Sequence, residues 1–310
     1  MTVPASLATA PLCVILGPTA SGKSALALAL AERWGAEIVS IDSMQVYREM
    51  DIGTAKPTLD EQRRVRHHLI DVVDPNETFT VARFVEQADA VIADARRRAV
   101  PLVLTGGTPM YYKALFEGLF EGPSADPDLR MHLRSLPGEQ LYDRLRKIDP
   151  AAAERIHAND TKRLVRAIEV FELTGRRISE MQTEWGGGAR RHDAVWFGLH
   201  WERDALNRRI NARARQMIDA GWVDETLRLR ARWGVLSDTA RMAAGYMTLL
   251  RHLDGKLALD DAIEQIKIDT RQLARRQIKW FRRWEGVTWL AGDASPDANI
   301  QLIEKLSTRR

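Results

Sequence analysis

The chain has a single cysteine, Cys13, among 310 residues. That excludes an intrachain disulfide framework and any zinc cage built from several thiolates. Long apolar runs are missing too, and none approaches the ~20 residues needed to cross a bilayer. The segment from Met1 to Pro11 carries no charged side chain, and the run Leu12–Leu16 is too brief for a signal peptide. A cytoplasmic protein with no membrane attachment is therefore expected. Neither an N-K-x-D nor a D-x-x-G string occurs, which removes the guanine-reading and switch segments of a GTPase. With 45% apolar and 28% charged residues, the composition is that of a globular chain, not a disordered or fibrous one. The length suits about two domains.

Charge is balanced in total and uneven in placement. Lys and Arg number 46 against 42 Asp and Glu, a net charge of +4. Yet Arg203, Arg208, Arg209, Arg213 and Arg215 stand in one short stretch against Asp204 alone. A second stretch carries Arg271, Arg275, Arg276, Lys279, Arg282 and Arg283 with no acid, beside Trp280, Phe281 and Trp284. Clustered Arg interleaved with aromatics suits a polyanion such as nucleic acid. For either cluster alone, a solvated helix face explains it as well.

Short apolar runs bounded by turn residues predict buried strands at Leu12–Leu16, Glu37–Ile41, Leu69–Val73, Pro101–Leu104, Val195–Leu199 and Val287–Leu290. Helical spacing lies between them, as at Lys23–Trp34 and Val81–Ala99. Alternating strands and helices predict an α/β fold, a parallel sheet with helices on both faces. From Phe116 to about Arg191 the strand-like runs vanish, and Asp149–Thr174 reads as helix. Glu121-Gly122-Pro123-Ser124 and Gly186-Gly187-Gly188 mark loops at its two ends. The expected organisation is a core of residues 1–115 and 192–310, interrupted by a mainly helical insertion at 116–191.

Gly17-Pro18-Thr19-Ala20-Ser21-Gly22-Lys23-Ser24 matches G-x-x-x-x-G-K-[ST] between the first strand and the first helix. Glycines let successive N–H groups face one concavity, and the helix N-terminus adds positive potential. Lys23 can reach terminal phosphates, and the Ser24 hydroxyl can ligate Mg²⁺. The loop is read as a cradle for a diphosphate or longer phosphate chain. An ATPase would want an acid at the end of a neighbouring strand. The run Pro101–Leu104 leads instead into Thr105-Gly106-Gly107-Thr108. An acid does end the second run, Asp42, where a doubly wound sheet opens its crevice. A helix cap and a general base account for it about equally. The polar stretches Asp42-Ser43-Met44-Gln45-Val46-Tyr47 and Asp51–Pro57 favour the base.

Gly17–Ser24, Asp42–Tyr47, Asp51–Pro57, Gly106-Gly107-Thr108 with Tyr111, and Arg275-Arg276-Gln277-Ile278-Lys279-Trp280 together resemble the tRNA dimethylallyltransferase (isopentenyltransferase) family, in order and over nearly the whole chain. The resemblance implies a P-loop NTPase-like core, Mg²⁺ as cofactor, and dimethylallyl diphosphate and the tRNA anticodon stem-loop as partners. It implies transfer of the dimethylallyl group to N6 of the adenosine 3′ to the anticodon, with release of pyrophosphate. Asp42 would be the base, with Thr19 and Arg213 completing the catalytic set and Ser24 at the metal. RNA contacts would fall on Asp42, Ser43, Met44, Gln45, Thr108 and Arg130. They would continue at Lys162, Arg163, Leu164, Val165 and Arg166, then at Arg241, Met242, Ala243, Ala244, Gly245 and Tyr246. The last group would be Arg275, Arg276, Gln277, Ile278, Lys279, Trp280, Phe281 and Arg282.

Taken by themselves, Lys162 and Arg166 share a helix face at i, i+4, which an ordinary charged surface explains equally well. His67 and His68 have no acidic partner at ligand spacing and are read as packing or surface groups. Pro109 stands where a residue with an amide proton is expected. Two other readings remain on the residues alone. One is a small-molecule kinase using the loop for ATP, which leaves the basic aromatic stretch unexplained. The other is a non-catalytic RNA-binding module, which leaves Asp42 and Ser24 without a role. A monomer is expected.

Overall fold

The computed structural model describes residues 11–118, 122–183 and 191–307. The residues before Pro11, the loop residue Glu121 and the Gly186-Gly187-Gly188 loop lie outside them. The chain forms two compact units, one of Met1–Leu115 with His192–Arg310 and the other of Phe116–Arg191.

The first unit is built on six parallel strands: β1 (Leu12–Leu16), β2 (Glu37–Ser40), β3 (His67–His68), β4 (Leu102–Gly106), β5 (Ala194–His200) and β6 (Val287–Ala291). Their order across the sheet is β3-β2-β4-β1-β5-β6. Successive side chains of a strand face opposite sides. Cys13 and Ile15 pack with Leu26, Leu30 and Trp34 of the helix Lys23–Trp34 and with Ile300 and Ile303 of the helix Pro296–Ser307. Val14 and Leu16, on the other side, are fully buried as well. Both faces are covered, which is why these strands read as continuous apolar runs and not as alternating ones. Burial in this layer pushes the Cys13 thiol up to about 12, so it behaves as a small apolar side chain.

Strand register places the site. Leu16 pairs with Gly106, and Ser40 pairs with Thr105. The carboxyl ends of β1, β4 and β2 are therefore level, and the residues that follow them open on one crevice at the point where strand order reverses. Most strands match expectation within two residues, but Leu69–Val73 is not a strand. The ladder with β2 lies upstream at His67–His68, and Leu69 and Asp71 take left-handed φ of 61° and 54°. A strand cannot continue through such residues. Val73 keeps only an isolated bridge to Tyr47. His68 gains the acid that the sequence did not place beside it, because Glu37 starts the neighbouring strand and the His68 Nε2–Glu37 Oε2 distance is 2.7 Å.

The second unit is helical, with helices at Pro127–Ser135, Gly138–Ile148, Pro150–Arg155, Thr161–Thr174 and Ile178–Thr183. Leu133, Leu141, Leu145, Leu164, Val165 and Ile168 form its core. The expected single helix Asp149–Thr174 is two: the first ends where Ile156 turns extended, and each of the two starts on an aspartate cap. Asp149 Oδ1 accepts from Ala152 N at 3.0 Å and its Oδ2 from Ser179 N at 2.9 Å, while Asp160 caps Arg163 N.

Candidate active site

The loop between β1 and the helix Lys23–Trp34 is wound tightly. A Cβ on Gly17 would stand 2.5 Å from Ser21 Oγ, and Gly22 has φ 91°. Ala20 is left-handed as well at φ 63°, a conformation costing a side-chain residue about 1 kcal/mol. The loop is braced from outside. Arg209 Nε donates to Ala20 O at 2.8 Å, Trp201 Nε1 donates to Ser21 O at 2.9 Å, and the Arg209 guanidinium lies 4.5 Å from the Trp201 ring centre. These bonds occupy the carbonyls of Ala20 and Ser21, while Thr19 N donates to Gln277 Oε1 at 2.9 Å and Ser21 N to Pro18 O at 3.2 Å. Ser21 Oγ is buried without a hydrogen-bond partner among the described residues, a donor suited to a phosphate oxygen.

Lys23 is buried, its Nζ donating to Pro18 O at 3.3 Å. Burial lowers its pKa from 10.5 to about 8; the Asp42 carboxylate pulls the other way and the Arg213 charge adds to the fall. Arg213, on the helix Arg203–Asp219, is likewise lowered by burial, with Asp42 opposing and Arg209 adding to the shift. Lys23, Asp42 and Arg213 thus share one electrostatic neighbourhood although 171 and 19 residues separate them along the chain. Both cations feel the Asp42 carboxylate.

Asp42 is held by the corner that follows β4. A Cβ on Gly106 would lie 2.0 Å from Ile41 O, so only glycine lets the two strand ends close together here. Thr108 N donates to Ile41 O at 3.2 Å, and Thr108 Oγ1 accepts from Ser43 N at 3.0 Å. Asp42 Oδ1 accepts from Met44 N at 2.9 Å, leaving the second oxygen for other work. Pro109 fits for a reason the sequence pattern concealed. It is the first residue of the helix Pro109–Glu117, where no amide proton is needed.

A second loop is anchored by an acid that sequence reading missed. Glu225, buried on the helix Trp222–Trp233, accepts from the amides of Asp51, Ile52 and Gly53 at 3.1, 2.7 and 3.2 Å and from Tyr246 Oη at 2.6 Å. That loop in turn supplies Thr54 O and Ala55 O to Gln45 Nε2, while Gln45 Oε1 accepts from Ser40 Oγ. Lys56 Nζ closes it on Asp51, Asp71 and Tyr47 O. Glu225→Ala leaves four donors unpaired and is expected to destabilise the core unit by roughly 2–4 kcal/mol. An unshifted urea midpoint would contradict this.

A model of the IPP transferase family matches residues 45–284. Among curated relatives, a tRNA dimethylallyltransferase of Geobacter metallireducens is 46% identical over 94% of this chain and 96% of its own. One of Syntrophus aciditrophicus is 45% identical over 90% and 91%. The chain belongs to the IPP transferase family. Among solved structures, a tRNA isopentenylpyrophosphate transferase of Bacillus halodurans aligns with TM-score 0.72 at 39% identity, over 96% of this chain and 95% of that one. A eukaryotic dimethylallyltransferase captured acting on tRNA aligns with TM-score 0.83 at 27% identity, over 96% and 80%.

Within this IPP transferase, the residues expected at an RNA surface divide by exposure. Lys162, Arg163, Arg241, Met242, Arg275, Arg276, Lys279 and Arg282 are exposed. Asp42, Ser43, Met44, Gln45, Thr108, Ala244, Ile278 and Trp280 are half-buried. Leu164, Val165, Ala243, Tyr246, Gln277 and Phe281 are buried, which removes their side chains from an RNA-facing surface. For the stretches at 162–166 and 275–281 the helical period explains the correction, because a contiguous stretch of helix turns some residues inward. Gly245, also buried, serves packing, since a Cβ there would meet Trp222 at 2.1 Å.

In the helical unit Arg130 and Arg166 converge on Glu169, which is fully buried. Arg130 Nε and Nη2 donate to its two oxygens at 2.8 and 2.9 Å, Arg166 Nη1 donates at 2.6 Å, and Asp126 N donates at 2.9 Å. Burial alone would raise the Glu169 pKa; the hydrogen bonds from the two arginines and Asp126 outweigh it and the net shift is downward.

Proposed function

We propose that the chain transfers the dimethylallyl group of dimethylallyl diphosphate to N6 of the adenosine just 3′ of a tRNA anticodon, releasing pyrophosphate. The observation that carries this reading is the phosphate loop, with buried Lys23 and a Ser21 Oγ that has no partner among the described residues, electrostatically coupled to Asp42 and Arg213 in a member of the IPP transferase family. The adenine amine is a weak nucleophile because its lone pair is delocalised into the ring. Asp42 accepts the N6 proton as the N6–carbon bond forms, which localises that pair. The carbon–oxygen bond to the diphosphate breaks, and its electrons leave with pyrophosphate. Arg213 and Lys23 stabilise the charge gathering there, and Thr19 and the N–H groups of the loop orient the diphosphate.

Ser24, exposed at the first turn of its helix, would offer Mg²⁺ one hard oxygen ligand. Bound Mg²⁺ would neutralise charge on the leaving group. Among the described residues no group of His, Cys, Asp and Glu forms a rival metal site.

The target adenosine must leave its stack to present N6. Exposed Arg275, Arg276, Lys279 and Arg282 supply backbone-tracking charge, and Arg130, Lys162, Arg163 and Arg166 offer a second set on the helical unit. The proposed setting is the cytoplasm, with the chain acting as a monomer. Among the described residues no helix is long and apolar enough to cross a membrane.

Affinity for tRNA is expected to fall steeply with salt, and Arg275→Ala with Lys279→Ala to flatten the log–log slope by about 1–2. A salt-insensitive complex would contradict that mapping. Inorganic pyrophosphate should bind more weakly as pH rises through about 8, where the free Lys23 ammonium loses its proton. The sign follows because the ligand needs the charged form, and binding above that pH must take up a proton. Affinity flat across that interval would remove Lys23 from the cradle. The reading as a whole is tested by pyrophosphate release, which should require prenyl donor and tRNA together. Rapid ATP turnover without RNA would favour a kinase instead.

A further inference from the structure

The helix Leu259–Phe281 has an outer face of exposed cations and an inner face of different character. Ala274, Gln277, Ile278 and Phe281 fall at i, i+3, i+4 and i+7 and turn inward, whereas Arg275, Arg276, Lys279 and Arg282 turn out. Ala274 and Ile278 pack against Ala20 of the phosphate loop. Between them sits Gln277, a polar side chain in an apolar stripe. Its Oε1 accepts from Thr19 N at 2.9 Å and its Nε2 donates to Gly107 O at 2.6 Å. One amide thus ties the phosphate loop to the glycine corner that adjoins Asp42. A Cβ on Gly107 would stand 2.6 Å from Gln277 Nε2 and 3.7 Å from Asp42 Oδ2. A turn and a half earlier, Arg271 Nη1 donates to Asn211 Oδ1 at 2.6 Å, on the helix that carries Arg213.

We propose that Gln277 is a positioning residue that couples RNA on the outer face to diphosphate in the loop, so that each raises the affinity for the other. The coupling rests on the functional reading above, in which the loop holds diphosphate and the cationic face holds RNA. RNA phosphates bridging Arg275, Lys279 and Arg282 fix the helix in place, and the fixed helix holds Gln277 against Thr19 and Gly107. The phosphate loop is then already ordered when the diphosphate arrives, and the ordering cost is not met twice. Linkage makes the effect reciprocal. It also explains the residue type. Glutamate has no donor for Gly107 O, and methionine fills similar volume while making neither bond.

The test measures calorimetric binding of inorganic pyrophosphate with Mg²⁺ to the full chain, with and without an RNA hairpin carrying an anticodon loop. In the unsubstituted protein the hairpin should tighten pyrophosphate by about fivefold or more, and pyrophosphate should tighten the hairpin equally. In Gln277→Met that ratio should fall to near one while hairpin affinity without pyrophosphate stays within about twofold of the parent, since the cationic face is intact. A merely structural role would weaken both ligands and leave their ratio alone. Should the methionine variant fail to fold, Gln277→Glu serves in its place: it keeps an acceptor for Thr19 N but has no donor for Gly107 O, so the tie between the two loops is broken and the ratio should again fall. Exchange of the Thr19 amide proton in the unsubstituted protein, slowed by the hairpin, is a measurement that needs no variant.

A preserved ratio in the variants, or both ligands bound without coupling in the parent, would overturn the proposal and leave the functional reading standing. A parent that binds neither ligand would overturn that reading and the coupling with it.

Discussion

Asp42→Asn is expected to slow prenyl transfer by about 10²–10⁴-fold while tRNA still binds, the range for loss of a general base. Asparagine is the sharper substitution because its side-chain oxygen can still accept from Met44 N, as Asp42 Oδ1 does at 2.9 Å. The corner made by Ile41, Thr108 and Ser43 then survives, and only the capacity to take a proton is lost. Asp42→Ala should cost at least as much in rate and disturb the loop besides. Single-turnover measurement with enzyme in excess over tRNA separates this step from product release. Near-normal turnover in Asp42→Asn would remove the carboxylate from the chemistry and return it to the role of a loop cap.

Removing Arg213, which is electrostatically coupled to Asp42, should be nearly as damaging. Arg213→Ala is expected to lower kcat by about 10²–10³-fold, the loss typical of a donor aimed at charge that develops in the transition state. The effect should fall on kcat more than on KM for tRNA, since Arg213 is half-buried beside Lys23 and Asp42 and lies apart in sequence from the exposed Arg275–Arg282 face. Arg213→Lys restores the charge without the planar fork and should recover part of the rate. A variant with normal kcat and weakened tRNA binding would place Arg213 on the RNA surface instead.

The phosphate loop was legible because its chemistry is local: glycines, Lys23 and Ser24 lie between one strand and one helix within eight residues. Strand positions were legible for a related reason, since strands covered on both faces are continuous apolar runs. The polar groups whose part the residues alone did not reveal have one physical source. Glu225, Gln277 and Glu169 each sit on the buried stripe of a helix, beside Trp222 and Leu229, Ala274 and Phe281, and Val165 and Ile168 respectively. A stripe of 3.6-residue period interrupted by a polar group is a sequence signal, because such a group must find partners inside. What no pattern in the chain states is which partners those are. The partners stand far along the chain: the Asp51 amide, 174 residues from Glu225, Thr19 N and Gly107 O, 258 and 170 residues from Gln277, and Asp126 N and Arg130, 43 and 39 residues from Glu169. The basic stretches divide for the same reason, since Leu164, Val165, Gln277 and Phe281 on them turn into the core. The strand assigned to Leu69–Val73 failed on backbone geometry: Asp71 is a type that tolerates a left-handed φ, but nothing in Leu69 announces one.

The central claim is that a diphosphate held by Lys23 and Arg213 departs as Asp42 takes the proton of an extruded adenine. Its most direct measurement is mass analysis of the nucleosides of tRNA incubated with the protein, dimethylallyl diphosphate and Mg²⁺, run beside Asp42→Asn. The account predicts one adenosine per tRNA, beside the anticodon, carrying a dimethylallyl group in place of an N6 hydrogen, and almost none with the variant. Unaltered adenosine after full incubation, or equal modification by both proteins, would contradict it.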